Sequence, residues 1–86
     1  IYTLSLHDAL PILDPDNSIV EIIVPEKFDG KTIADLELRN KYGLNLLAVS
    51  DRGEKFQINP KPSTILTKGI IMIVLGSNQD INRLPN

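Results

Sequence analysis

Asn59, set between Ile58 and Pro60, and the apolar run Leu46-Leu47-Ala48 are the residues whose types and spacing best suit a chemical task. A hairpin that joins the two segments makes an apolar wall with one amide at its lip. Aliphatic and proline faces of that kind can stack a planar base such as adenine, while the Asn59 side chain or a free backbone N–H holds a phosphate oxygen. Arg52, between the two segments in sequence, is the nearest cation able to pair with phosphate. The same residues also fit a plainer reading, in which the aliphatic groups fill a core and the asparagine only turns the chain.

Catalysis finds few candidates. The chain has 1 histidine, His7, and 0 cysteines, so it lacks a thiolate nucleophile, a disulfide framework and a zinc-thiolate set. Most of the carboxylates sit in turn-like or polar stretches, and paired-carboxylate chemistry needs a cleft that sets two of them apart. Ser50 and Ser77 have no histidine or well-placed lysine to activate them. The 5 glycines are scattered, with no arrangement that cradles phosphate at a helix start. Asp14-Pro15-Asp16-Asn17 offers oxygen atoms to calcium but lacks the spaced series and bidentate glutamate of a loop site, and it reads as a turn. The expectation is a chain that is not an enzyme and holds no metal.

The residues from Tyr2 to Ile12 are identical to one translated frame of a common short-read sequencing adapter. Residues 1–12 are therefore expected to be a non-native, adapter-derived segment, with the native domain spanning 13–86. His7 leaves with that segment, and so does every imidazole-based role. What remains is one small domain, which buries only roughly 60% of its unfolded surface on folding. A second copy is the expected way to cover leftover apolar surface. The formal net charge of -2 draws the chain to neither nucleic acid nor an anionic membrane. The longest apolar run, Ile70 to Leu75, is far short of the roughly 20 residues a spanning helix needs, so no direct membrane insertion is expected.

The elements that must position the wall can be read in order. Ser18 to Val24 carries the β-branched density of a strand and ends at Pro25; Val20, Ile22 and Val24 share one face, and Ile19, Glu21 and Ile23 share a second that is partly wet or covered by a partner. Thr32, with Asp35 three residues on, forms a weak capping box for a helix from Ile33. That helix turns Ile33, Leu36 and the aliphatic part of Ala34 inward and stops at Gly43. Leu38 falls off the stripe, which predicts a bend or restart near Glu37 that lets Leu38 and Tyr42 pack separately. Leu44 to Val49 and Lys55 to Ile58 form a hairpin around Asp51-Arg52-Gly53-Glu54, and Asn59-Pro60-Lys61-Pro62 ends its pairing. Thr64 to Gly69 is a turn-like connection. Ile70 to Leu75 is a strand at the sheet's centre, and Ser77 caps a short terminal helix that buries Ile81 and Leu84. The fold class is α+β: a small β-α-β-β-β sheet with one helix packed on a face and a short C-terminal helix.

Taken in order and spacing, the strand ending Val24-Pro25, the Gly30-Lys31-Thr32 helix start, Leu38-Arg39-Asn40-Lys41-Tyr42-Gly43, the hairpin, Asn59-Pro60 and Ile70 to Gly76 resemble the RCK C-terminal, or TrkA-C, domain of TrkA/KtrA-type potassium-uptake regulators. The resemblance runs from about Leu13 to Leu84. It implies a missing N-terminal nucleotide-binding RCK domain and a cytoplasmic location, peripheral to the inner face of the cell membrane. It also implies a homodimer through this domain and, through the full-length protein, a potassium channel membrane subunit as partner. In the KtrA branch such dimers bind cyclic di-AMP across the two-fold axis, on a wall that looks like Leu46, Leu47, Ala48, Ile58, Asn59 and Pro60, with Arg52 near the phosphate. Two departures stand out: the usual Gly-Asp before the last strand is Gly69-Ile70, and the hairpin arginine is displaced by one residue. The functional expectation is a regulatory ligand-binding domain of a potassium uptake (Trk/Ktr) system that gates a membrane channel subunit. The alternative is a structural dimerisation module of another cation or anion transporter with no ligand of its own.

Overall fold

The computed structural model describes residues 10–51 and 55–85. It contains a 5-stranded sheet in the order β1-β2-β5-β3-β4, with β1 at Leu10–Asp14, β2 at Asn17–Ile23, β3 at Asn45–Ser50, β4 at Phe56–Ile58 and β5 at Ile71–Ser77. Every neighbouring pair is antiparallel. The most apolar strand, β5, lies in the middle, as a strand buried among neighbours should.

The seven-residue β2 pairs with β5 through an unbroken register from Asn17 opposite Ser77 to Ile23 opposite Ile71. Alternation along β2 is complete: Ser18, Val20 and Ile22 are buried, while Asn17, Ile19, Glu21 and Ile23 are half-buried. Val24 continues the buried series beyond the strand. The core forms on one face only, where Val20, Ile22, Val24, Val49, Met72 and Val74 meet Phe28, Leu36, Leu38, Leu44, Leu66 and Ile81. At about 25 cal/mol per Å² of apolar area removed from water, this one cluster supplies the main drive for folding.

The helical layer on that face is short and broken. Thr32 Oγ1 accepts the Asp35 N–H at 3.1 Å and starts α1 (Ile33–Leu36). Glu37 then adopts a left-handed conformation, φ 47 and ψ 49, and a π-helical turn follows at Leu38–Tyr42. The predicted restart near Glu37 is thus present, and it rotates Leu38 back into the core at 4% exposure. Leu38 and Tyr42 do not pack apart from the rest: both join the main cluster, and the Phe28 and Tyr42 rings meet edge to face at 5.7 Å. The inward placement of Ala34 fails, since α1 ends before a full stripe can form and Ala34 is exposed. Gly43, at φ 71, ends the turn; a side chain there would run into the Asp80 carboxylate as well as strain the backbone. Gly76 has an ordinary φ but a different constraint, because a Cβ would collide with the Leu44 side chain.

The segment read as a plain connection is better organised than expected. Gly30 N–H donates to Leu66 O at 2.8 Å, Leu66 N–H donates to Lys31 O at 2.9 Å, and Thr32 bridges Ile65. Leu66 is fully buried as a result. At the other end, Ser77 Oγ accepts the Asp80 N–H at 3.1 Å and caps α2 (Asn78–Asn82), which buries Ile81 and leaves Leu84 partly packed on the core. Asn78 ties α2 to the β1–β2 turn: its N–H donates to Asp16 O, its Nδ2 donates to Pro15 O, and its Oδ1 accepts from Ser18 Oγ.

The α+β sheet with a helix on one face stands as expected, and β1 adds an edge strand. β1 draws on Leu10, Pro11 and Ile12, within the stretch identical to an adapter frame. Its pairing with β2 slips in register at both steps, between Leu10 and Ile12 and between Ile12 and Asp14, whereas β2–β5 has no slip at all. Asp14 closes the hairpin turn, its Oδ1 accepting from Asp16 N–H at 2.8 Å and Asn17 N–H at 3.0 Å, and Asn17 Nδ2 donates to both carboxylate oxygens. With its oxygens occupied by N–H donors this is an Asx-type turn, and no cluster of metal-ligating side chains occurs among the described residues.

Candidate functional site

The wall foreseen from sequence is set by β3, β4 and one irregularity between them. Going along β3, Leu46 pairs with Val74 and Ala48 pairs with Ile73, which are consecutive on β5, so Leu47 is an extra residue at the register shift. Such a bulge changes which face the following side chains occupy. Leu46 consequently lies on the helix-covered face, partly buried against the core. Ala48 lies on the opposite face with Ile73 and, across the hairpin, is paired directly with Ile58.

Leu46 is therefore separated from the rest of the predicted wall, because the bulge at Leu47 puts Leu46 and Ala48 on opposite faces of the sheet. Leu47, Ala48, Ile58 and Asn59 do come together. Ala48 is 2% exposed and Ile58 is 67% exposed, so the two present a filled base and a projecting aliphatic edge. Pro60 follows, half-buried. Asn59 adopts a left-handed backbone, φ 49, and its N–H donates to Leu47 O at 2.8 Å. That N–H is not free for a ligand, contrary to one of the two options read from sequence; the side-chain amide is the donor that remains, and Asn59 is exposed. Arg52 lies outside the described residues.

The Asn59 N–H bond to Leu47 O extends the β3–β4 register one residue beyond Ala48 opposite Ile58, so Asn59 turns the chain while still holding the hairpin ladder. Asparagine tolerates the left-handed region better than other non-glycine residues, so the residue type fits both backbone and site. Asn59 itself was legible in sequence; its backbone state was not.

The wall belongs to the sheet face opposite the core, on which Ala48 and Ser50 are buried and the other residues are half-buried or exposed. One row crosses the sheet from Glu21 on β2 to Ile73 on β5, Ala48 on β3 and Ile58 on β4, each directly paired with the next. The neighbouring row joins Ile23, Ile71, Ser50 and Phe56. None of these residues belongs to the core cluster.

A separate cleft of about 390 Å³ lies at the far end of the hairpin, lined among others by Val49, Ser50, Gln57, Thr64 and Thr67. It shares no residue with the wall. Ser50 Oγ is buried there with no hydrogen-bond partner among the described residues, but with essentially no exposed surface it cannot reach an incoming molecule. Lys55 also lines this cleft but makes no hydrogen bond to Ser50 Oγ.

Electrostatics are quiet. The ion pairs among described residues, Lys41–Glu37, Lys68–Glu26 and Arg83–Asp80, are surface pairs away from the wall, of a kind worth little. The Asn17 side chain and the Asp16 and Asn17 N–H groups hold the Asp14 carboxyl below the usual carboxylate range. No helix among the described residues is long and apolar enough to cross a membrane.

Comparison with known proteins places this geometry. The TrkA-C domain family matches residues 18–86. The Ktr system potassium uptake protein C of Bacillus subtilis (strain 168) is 37% identical over 71 residues, covering 83% of this chain and 32% of that protein. Ktr system potassium uptake protein A of the same organism is 35% identical over 74 residues, covering 86% and 33%. The chain thus spans about a third of the length of these curated relatives. Among solved structures, the RCK C domain of the potassium transport protein KtrA in complex with cyclic diadenosine monophosphate is 43% identical, with a TM-score of 0.71 and coverage of 78% of each chain. The GsuK channel bound to NAD is 28% identical with a TM-score of 0.70, covering 78% of this chain and 12% of that one. The chain belongs to the TrkA-C domain family.

Proposed function

We propose that this chain is the regulatory ligand-binding domain of a potassium-uptake protein, that two copies pair through the uncovered sheet face, and that cyclic di-AMP binds where their hairpins meet. The observation that carries this reading is the likeness to the KtrA RCK C domain in complex with cyclic di-AMP, at 43% identity over a shared fold, joined to a wall of Ala48, Ile58, Asn59 and Pro60 on an unfilled face. Each adenine stacks on aliphatic and proline surface, and the Asn59 amide, with Arg52 as the nearby cation, meets phosphate. Leu47 contributes its carbonyl to holding Asn59, and Leu46 contributes from beneath, through packing. The chain acts by binding rather than by catalysis. In the longer protein, cytoplasmic and at the inner face of the membrane, ligand binding shifts a regulatory assembly that contacts a potassium-conducting membrane subunit. Residues 1–12 are foreign to this domain, a reading supported by the slipped pairing of β1 and by a family match that starts at residue 18.

Calorimetric titration with cyclic di-AMP tests the ligand. The expected result is saturable heat with one ligand per two chains. Absence of both heat and thermal stabilisation at high micromolar ligand removes cyclic di-AMP from the proposal. One observation favours the alternative of a ligand-free dimerisation module: the wall is an exposed edge within one protomer, not a closed cavity. Asn59→Ala separates the two, since a scaffold keeps its pairing and has no ligand affinity to lose.

A further inference from the structure

Glu21 interrupts the uncovered face at one end of the row that ends in Ile58 at the other. It lies between Ile19 and Ile23, opposite Ile73, and is half-buried. No ion pair or hydrogen bond to its carboxylate occurs among the described residues. The nearest residues across its face are uncharged, with Ile71, Ile73 and Leu75 on β5, Ala48 and Ser50 on β3, and Phe56 and Ile58 on β4; the charged groups that reach the margin of the face are already bonded, the Arg39 guanidinium donating to Asn45 Oδ1 beside Leu75 and the Asp14 carboxylate accepting from Asn17 Nδ2. On the remaining neighbour, β1, Leu10 is paired with Ile19 and Ile12 with Ser18, and neither is a titratable residue. Among the described residues on this face, Glu21 is the carboxylate with no hydrogen-bond or ion-pair partner, whereas Asp14 at the margin is held by Asn17.

We propose, on the basis of the pairing of two chains through this face, that Glu21 limits that pairing and makes it acid-sensitive. Closing the face takes the carboxylate out of water, and burying its charged form costs far more than burying its protonated form when no partner compensates. Two copies bring two such groups into the interface. Pairing is consequently weak at neutral pH until a ligand adds contacts at the other end of the row, and it strengthens on acidification. The carboxylate makes the assembly conditional on ligand, where an all-apolar face would close permanently.

Sedimentation equilibrium of the whole chain, of Glu21→Gln and of Ile73→Asn, each at pH 7.5 and 5.5, tests this. Glu21→Gln removes the charge and keeps the shape, and it is expected to tighten pairing by about tenfold or more at pH 7.5. The unaltered chain is expected to tighten on acidification and Glu21→Gln to lose that response, a difference that cancels any contribution from His7. Equal association of the two at both pH values, or weaker association of Glu21→Gln, overturns the role of Glu21. Ile73→Asn, with folding verified by circular dichroism, addresses the underlying reading: a folded variant that pairs as well as the unaltered chain places the contact elsewhere and overturns both. Failure of both the unaltered chain and Glu21→Gln to associate at either pH does the same.

Discussion

The two faces of this sheet come from the same strands with the same alternation, yet they differ in what covers them. On one face Val20, Met72 and Val74 are at most 2% exposed beneath α1, the π-helical turn and α2. On the other, Ile19, Ile23, Ile71 and Ile73 are as apolar but stay half-buried, and Ile58 stands out at 67%. Among the described residues the short helical pieces roof one side only. The covered face holds the fold, and the opposite face is the one on which the proposed pairing draws.

Substitutions can break or sharpen that contrast, and the largest effect belongs to the covered face. Met72→Ala is expected to cost about 2 to 5 kcal/mol in urea unfolding, whereas Ile73→Ala, one residue along on the open face, should cost less than half as much in the same experiment. Equal losses would mean that the two faces are equally packed within one chain. Next comes Asn59. Asn59→Gly keeps the left-handed backbone and removes the amide, so ligand affinity should fall by about 1 to 3 kcal/mol with stability little changed. Asn59→Ala loses the same contact and also about 1 kcal/mol of stability, because alanine resists a positive φ; calorimetry and thermal melts together distinguish the two.

The cap of α1 is a smaller matter, since it trims the roof without touching either face. Thr32→Ala should cost about 1 kcal/mol, read from a denaturant midpoint. The smallest effect is the pH response of the β1–β2 turn. The folded Asp14 carboxyl sits below its usual range because the Asn17 side chain and neighbouring N–H groups bond the charged form, so its contribution is present above about pH 4 and fades as pH falls through the depressed folded value. Asp14 is fully exposed, and the expected outcome is a slight acid-side loss of melting temperature that Asp14→Asn no longer displays.

Local chemistry made much of the fold legible. The β-branched density of β2 and β5 announces strands, Thr32 with Asp35 announces a helix start, and Ser77 announces another. The break at Glu37 could be read because Leu38 fell off an otherwise regular stripe. What could not be read depends on partners distant in sequence. Leu46 and Ala48 lie on one face only if β3 pairs without interruption, and the bulge at Leu47 is defined by the pairing with β5, which leaves no mark on residues 46–48. Leu66 looked like part of a turn because its pairing with Gly30 and Lys31 spans more than thirty residues. For the candidate site, the residue types were visible and the face that each occupies was not.

Isoleucine methyl spectra of the purified chain, recorded during titration with cyclic di-AMP, test the division between faces most directly. Ile58 and Ile73 should shift strongly, while Ile22 and Ile81, locked in the covered core, should hold their positions. Movement of Ile65 and Ile70 beside the separate cleft, with Ile58 and Ile73 unmoved, would contradict the assignment of the open face as the working surface.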